Sequence, residues 1–202
     1  MLHHLTCARC ECCVCVTAYC PVEVLSYNAY GTCSGTNNDH EGFVKLSGTT
    51  VWESGWCSSL TNHRGVTILK LDPFSCTKLE SRTFDTYGST SAATDLKNYL
   101  NGLSHGDLVI GVSGDEPSRE LSAAESTLRD WGANVDDVGF RGTFAFIAQK
   151  GFPAKTILDK VLTDSESNTD PAKINVVLQG GLATYCLAID YTHARTEYND
   201  HF

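Results

Sequence analysis

Several things are missing from this 202-residue chain, and each absence removes a class of function. No apolar run approaches the roughly 20 residues that a bilayer-spanning helix needs, so no membrane partner is expected. Positive charge is scarce: 15 Lys and Arg stand against 24 Asp and Glu, a formal net charge of −9. Nucleic-acid affinity comes mostly from basic groups that neutralise phosphates, so DNA and RNA are not expected partners. The same balance disfavours an anionic lipid surface. There is no phosphate loop and no dinucleotide fingerprint, and no cofactor is expected. The run Gly111-Val-Ser113-Gly-Asp115 lacks the second glycine of a nucleophile elbow. His63, His105 and His193 stand apart from one another. Paired carboxylates can hydrolyse glycosides, but Asp115 and Glu116 are adjacent in a turn rather than facing each other. Nothing specifies a reaction, and the expectation is a protein that is not an enzyme.

What the chain does have is cysteine. There are 10, six of them crowded as Cys7, Cys10, Cys12, Cys13, Cys15 and Cys20, and four scattered as Cys33, Cys57, Cys76 and Cys186. Scattered cysteines point to disulfides and an oxidising compartment, with buried free thiols in a cytosolic chain as the alternative. The crowded ones, beside His3 and His4, could hold zinc or a softer metal as thiolates. No second CxxC stands at a zinc-finger distance, so disulfides or disorder are expected there, and no metal. The opening residues have no basic stretch and only a broken apolar one, which makes a poor secretory signal. The organisation expected is a cysteine-rich arm over 1–19, one domain over 20–190 and a polar tail over 191–202.

Hydrophobic spacing supplies the elements. Alternation predicts a strand at 21–28, short strands are expected at 42–46, 49–53 and 78–85, and near-continuous apolar runs predict central strands at 66–71 and 107–112. Ala92, Leu96, Tyr99, Leu100 and Leu103 share a helical face, predicting a helix over 90–103. A second helix is expected with Ser122 and Glu125 at capping-box spacing and Gly132 as its stop. A strand at 143–148, a third helix at 154–162 and late strands at 174–178 and 185–189 follow. The order suits an α+β domain, with sheets in the middle and short helices on their faces.

Four short markers recur in order. They are Arg64-Gly65 before a strand, Phe84-Asp85-Thr86-Tyr87 at the end of the next, Asp115-Glu116 after the apolar strand, and Gly139-Phe140-Arg141 before an aromatic strand. With the flanking runs 47–55, 64–89, 108–116 and 138–151, the sequence resembles the ILEI/PANDER domain family, and Val22-Glu23-Val24 as the opening strand extends the likeness over 20–181. The resemblance implies two mainly antiparallel β-sheets packed as a compact sandwich flanked by short helices, and extracellular or lumenal residence. It implies no single activity, because some members are secreted signalling factors and another is a transferase stem that binds a sugar. In that stem a strand-end acid and a base just before the Asp-Glu pair hold sugar hydroxyls. Asp85 matches the acid, whereas the basic position falls on Gly114, or on Ser113 if the register slips. By the same resemblance Cys20 pairs with Cys186 and Cys33 with Cys57, leaving Cys76 for another partner.

The candidate carbohydrate-binding residues are Asp85, Asp115, Glu116, Arg141 and Trp56. Each has a plainer reading. Asp85 could cap a turn or pair with Arg141. Asp115 and Glu116 could be charges at a helix start. Arg141 could brace a loop rather than fork onto hydroxyls. Among the tryptophans, Trp131 shares a helical face with Leu128 and reads as core, while Trp56 in its Gly-Trp-Cys loop is the better stacking platform than Trp52. The expected function is a secreted, lectin-like module for a glycan, with N-acetylhexosamine-containing glycans among the candidates. A cytokine-like factor that binds a protein receptor is the alternative. A disulfide-linked or non-covalent homo-oligomer fits either.

Overall fold

The computed structural model describes residues 18–26, 42–54, 64–133, 135–136, 138–151, 158–162, 172–180 and 188–189. Strands β1 (Ala18–Ser26), β2 (Phe43–Leu46) and β3 (Thr49–Glu53) open the chain, followed by β4 (Gly65–Leu71) and β5 (Lys78–Phe84). Helix α1 (Ala92–Gly102), strand β6 (Leu108–Gly114), helix α2 (Ser122–Asp130) and strand β7 (Thr143–Gln149) form the middle. Strands β8 (Leu158–Leu162), β9 (Ala172–Gly180) and β10 (Ala188–Ile189) complete the described elements. They make two five-stranded sheets, in the orders β10-β9-β1-β2-β3 and β5-β4-β6-β7-β8. The described pairings are antiparallel. The α+β sandwich expected from the sequence is the fold found.

Strand alternation sorts the second sheet's side chains into two cores. Leu69, Leu71, Leu108, Ile110, Val112, Ala145 and Ile147 face the first sheet and meet Val22, Val24, Val44 and Ile174 there. Val66, Ile68, Val109, Phe144 and Phe146 face the opposite way, against Leu96, Leu100, Leu121 and Leu128. The helices therefore lie on one face of the second sheet, giving three layers: sheet, sheet, helices. This is why β6 and β7 are buried along their whole length, and why their sequences do not alternate. Gly111 stands opposite Phe146 in the β6–β7 ladder, and a Cβ at that glycine would run into the Phe146 ring.

Four expectations are corrected. The stretch 154–162 carries a strand, not a helix: Leu158–Leu162 pairs with β7, Phe144 opposite Val161. Leu158 and Leu162 have helical spacing, but the open edge of β7 supplies ladder hydrogen bonds that outweigh local preference. Ser122 does not cap α2, whose N-cap is Leu121 with no side-chain bond. The helix instead grows out of a preceding turn, with Leu121 N donating to Ser118 O and Ala124 N to Leu121 O. The first strand starts at Ala18, inside the stretch read as the arm. Finally, Cys20 is bonded to Cys76 and not to Cys186. Cys20 points into the core between the sheets and Cys76 packs against that core, so the bond ties β1 to the β4–β5 turn. Cys33, Cys57, Cys186, Trp56 and the cysteine cluster up to Cys15 lie outside the described residues. Gly132 does end α2, with φ at 86° and Ala133 N returning to Leu128 O.

Candidate functional site

The second sheet has one end where β5 and β6 finish and β4 and β7 begin. The register sets Val66 opposite both Phe84 and Ser113, and Val112 opposite Ala145. The turns just beyond those positions carry Arg64, Asp85, Asp115 and Arg141, so four charges spread over 78 residues of sequence emerge at one edge.

Asp85 follows Phe84, which goes to the helical core. Its carboxylate is gripped from two sides. Arg64 Nε donates to Oδ1 at 2.8 Å and Arg64 Nη2 to Oδ2 at 2.5 Å, a bidentate fork, and Gly88 N donates to Oδ1 at 2.9 Å. The hydrogen bonds from Arg64 hold the Asp85 carboxyl below the usual carboxylate range. Gly88 must be glycine for this, because a Cβ there would strike both members of the ion pair. Asp85 thus caps its turn, but its cation is Arg64 rather than Arg141. The Arg64 guanidinium lies 4.6 Å from the Tyr87 ring centroid, and that of Arg119 lies 5.1 Å from the same ring.

Asp115 differs in kind. Its backbone is left-handed at φ 54°, and its side chain is only 9% exposed. Its Oδ1 is buried with no hydrogen-bond partner among the described residues, and Arg141 Nε stands 4.0 Å away. Burial raises the Asp115 pKa, opposed by the charges of Arg141 and Arg64. Arg141 is also left-handed, at φ 58°, in a turn closed by Gly142 N donating to Gly139 O. A non-glycine residue in that region costs about 1–3 kcal/mol and persists where surrounding contacts fix it. The Arg141 guanidinium lies 5.6 Å from the ring of Phe140, which is 53% exposed.

Glu116 is 1% exposed and turned inward. Its Oε1 accepts from Ser118 N and Ser118 Oγ, both at 2.6 Å, and its Oε2 accepts from Arg141 N. Thr86, fully buried, donates through Oγ1 to Pro117 O at 2.7 Å, while Glu120 N donates to Thr86 O. Ser113 is closed off: its Oγ accepts from Phe144 N at 2.8 Å and lies 2.7 Å from Ser26 Oγ. Trp52 and Trp131 are buried, so neither offers a stacking face.

Of the expected site residues, Asp85, Asp115, Glu116 and Arg141 share one end of the molecule. Gly114 supplies no base, but two guanidiniums reach the edge from neighbouring turns. Arg64, Tyr87 and Phe140 are not among the site residues expected from sequence, although each stands inside one of the four sequence markers. Together the exposed edge offers carboxylate acceptors, guanidinium donors and aromatic faces, the groups that suit a polyhydroxylated ligand with apolar C–H faces.

Residues 64–152 match the family model described as Interleukin-like EMT inducer. The human Cell migration-inducing and hyaluronan-binding protein is 28% identical over 134 residues, 65% of this chain and 10% of its own length. The mouse protein of the same name is 28% identical over 142 residues, 69% of this chain and 10% of its own length. This chain spans about a tenth of the length of the curated relatives it matches. The resemblance read from the sequence therefore holds over the stretch that builds the site: residues 64–152, from Arg64 through Arg141 and beyond, match that family model.

Proposed function

We propose that this chain is a secreted, non-catalytic carbohydrate-binding domain whose ligand seats at the β5–β6–β7 end of the second sheet, against Asp115, Arg141 and Phe140. The observation that carries the reading is the buried Asp115 Oδ1, without a hydrogen-bond partner among the described residues and 4.0 Å from Arg141 Nε. A buried charged acceptor without a donor is costly. A sugar hydroxyl brought between the two would donate to the carboxylate and accept from the guanidinium. Phe140 supplies an exposed ring beside it. Asp85 forms the wall of the site with Arg64, and its 42% exposure leaves its carboxylate within reach of a second hydroxyl. Hyaluronan, named in the relatives, is the first polymer to test, since it combines N-acetylhexosamine with a carboxylate that suits an arginine fork.

Each hydrogen bond to a charged group contributes about 1.5–3 kcal/mol net, so affinity for a single sugar should be weak and gain from several copies. A glycan array probed with the purified full chain, followed by calorimetric titration with hyaluronan oligosaccharides, tests the proposal. Retention of a glycan by the wild type and its loss in Asp115→Asn are expected. A chain that retains no glycan overturns the reading and turns attention to a protein receptor.

A further inference from the structure

We propose that Glu116 is a positioning residue of this site, a buried clasp that holds Asp115 and Arg141 at their working separation. The inference rests on the binding site proposed above. Among the described residues, four non-glycines have left-handed backbones: Ser47, Cys76, Asp115 and Arg141. Ser47 sits beside Gly48 in the β2–β3 turn, and Cys76 is held by its disulfide. Asp115 and Arg141 also adjoin glycines, Gly114 and Gly142, but neither has a covalent tie. What they share is Glu116, next in sequence to one and bonded to the backbone N–H of the other.

The clasp works at both ends. Through Oε1, Glu116 gathers the N–H and hydroxyl of Ser118, which fixes the turn that leaves β6. Through Oε2 it takes the Arg141 N–H, which fixes the turn that enters β7. The two turns are the ones that present the Asp115 carboxylate and the Arg141 guanidinium. A carboxylate is the one side chain of this size with acceptors at both tips. Glutamine has the same shape but presents an NH2 group at one tip, which would meet a backbone N–H donor. The carboxylate thus serves geometry, and a residue that sequence reading places among the ligand contacts acts through the two that touch ligand.

The experiment is Glu116→Gln in the full chain, read by amide hydrogen exchange and by titration with the hyaluronan oligosaccharide or array-identified glycan. The Arg141 and Ser118 amides should exchange at least about tenfold faster than in the wild type, while the β6 and β7 ladder amides keep their protection. Glycan affinity should fall roughly tenfold. Ser118→Ala, which removes one of three donors to the clasp, should reproduce the same pattern at about twofold; it serves as the readout if Glu116→Gln does not fold. Wild-type exchange at Arg141 in the folded variants, or unchanged affinity with the clasp opened, overturns the assignment. A wild type that binds no glycan refutes the binding site instead, and the exchange data still decide whether the clasp exists.

Discussion

The two ends of the second sheet are built from the same strands yet treat charge differently. At the far end, where β4 and β7 finish and β6 begins, Lys70 Nζ donates to Asp107 Oδ2 at 2.8 Å, and Ser104 N donates to the same oxygen at 2.9 Å. Gly106 N donates to Lys150 O and Lys150 N to Asp107 O, and Gln149 Nε2 donates to Gly106 O. The left-handed positions at this end are Gly106, Gly151 and the disulfide-bonded Cys76. A Cβ at Gly151 would strike the His105 ring. One buried atom there, Gln149 Oε1, has no partner among the described residues, but it belongs to a neutral amide bonded through its nitrogen. At the near end Arg64 and Asp85 pair as closely, but Arg141 Nε stops 4.0 Å from Asp115 Oδ1, and the left-handed positions are Gly65, Asp115 and Arg141. The contrast is between an end whose carboxylate is bonded directly to its cation and an end where Asp115 stops short of one; the ligand seat proposed above lies at the second.

The largest expected effect belongs to the far end. Replacing Cys20 and Cys76 together by alanine removes a cross-link between residues 56 apart. Loss of that constraint on the unfolded chain should cost about 4 kcal/mol and lower Tm by about 10 °C in calorimetry. Glycan affinity should not change. A parallel fall in affinity would show that the two ends are not separable.

Next in size is Lys70→Met. It leaves Asp107 without its cation in a pair whose side chains are 25% and 19% exposed. A loss of roughly 1–2 kcal/mol in denaturant unfolding is expected, again without an effect on binding.

Much of this architecture is legible in the sequence alone. Alternation locates β1, the stretches between loop-like segments locate β2, β3 and β5, and the apolar runs locate β4 and the doubly covered β6, because burial on both faces leaves a signature in sequence. Leu158–Leu162 is not legible, since its spacing fits helix and strand alike and only the edge of β7 decides. The Cys20–Cys76 bond depends on how the sheets stack, which local pattern does not report. The site is half legible. Asp85, Asp115, Glu116 and Arg141 stand out as charges at strand ends. That Arg64, 21 residues away, takes Asp85 follows from the β4–β5 register. That Glu116 faces inward while Asp115 keeps an unbonded oxygen follows from backbone conformations that neighbouring residue types do not announce.

The third prediction sharpens the near end by opposing two of its carboxylates, Asp85 and Asp115. Asp85 has a depressed pKa in the folded state. Its stabilisation is present above the unfolded carboxylate value and is lost as pH falls through the folded one. Asp85→Asn should therefore cost about 1 kcal/mol at neutral pH, a figure held low by solvent screening, and the gap to wild type should close on acidification. Asp115 has a raised pKa. Its contribution is fully present below the unfolded value and is lost as pH rises through the folded one. Asp115→Asn should leave neutral-pH stability unchanged or slightly higher. Chemical unfolding of both variants across roughly pH 3–7 checks the opposite signs; two curves with the same sign would erase the distinction drawn between the carboxylates.

The most direct test is a chemical-shift titration of the labelled full chain with the hyaluronan oligosaccharide or the glycan retained on the array. Perturbations should gather at Asp115, Phe140, Arg141 and the turn around Asp85, with Ser104, Gly106, Asp107 and Lys150 unmoved. Shifts centred on the far end, or none at either end at millimolar glycan, would contradict a ligand site at the open end of the sheet.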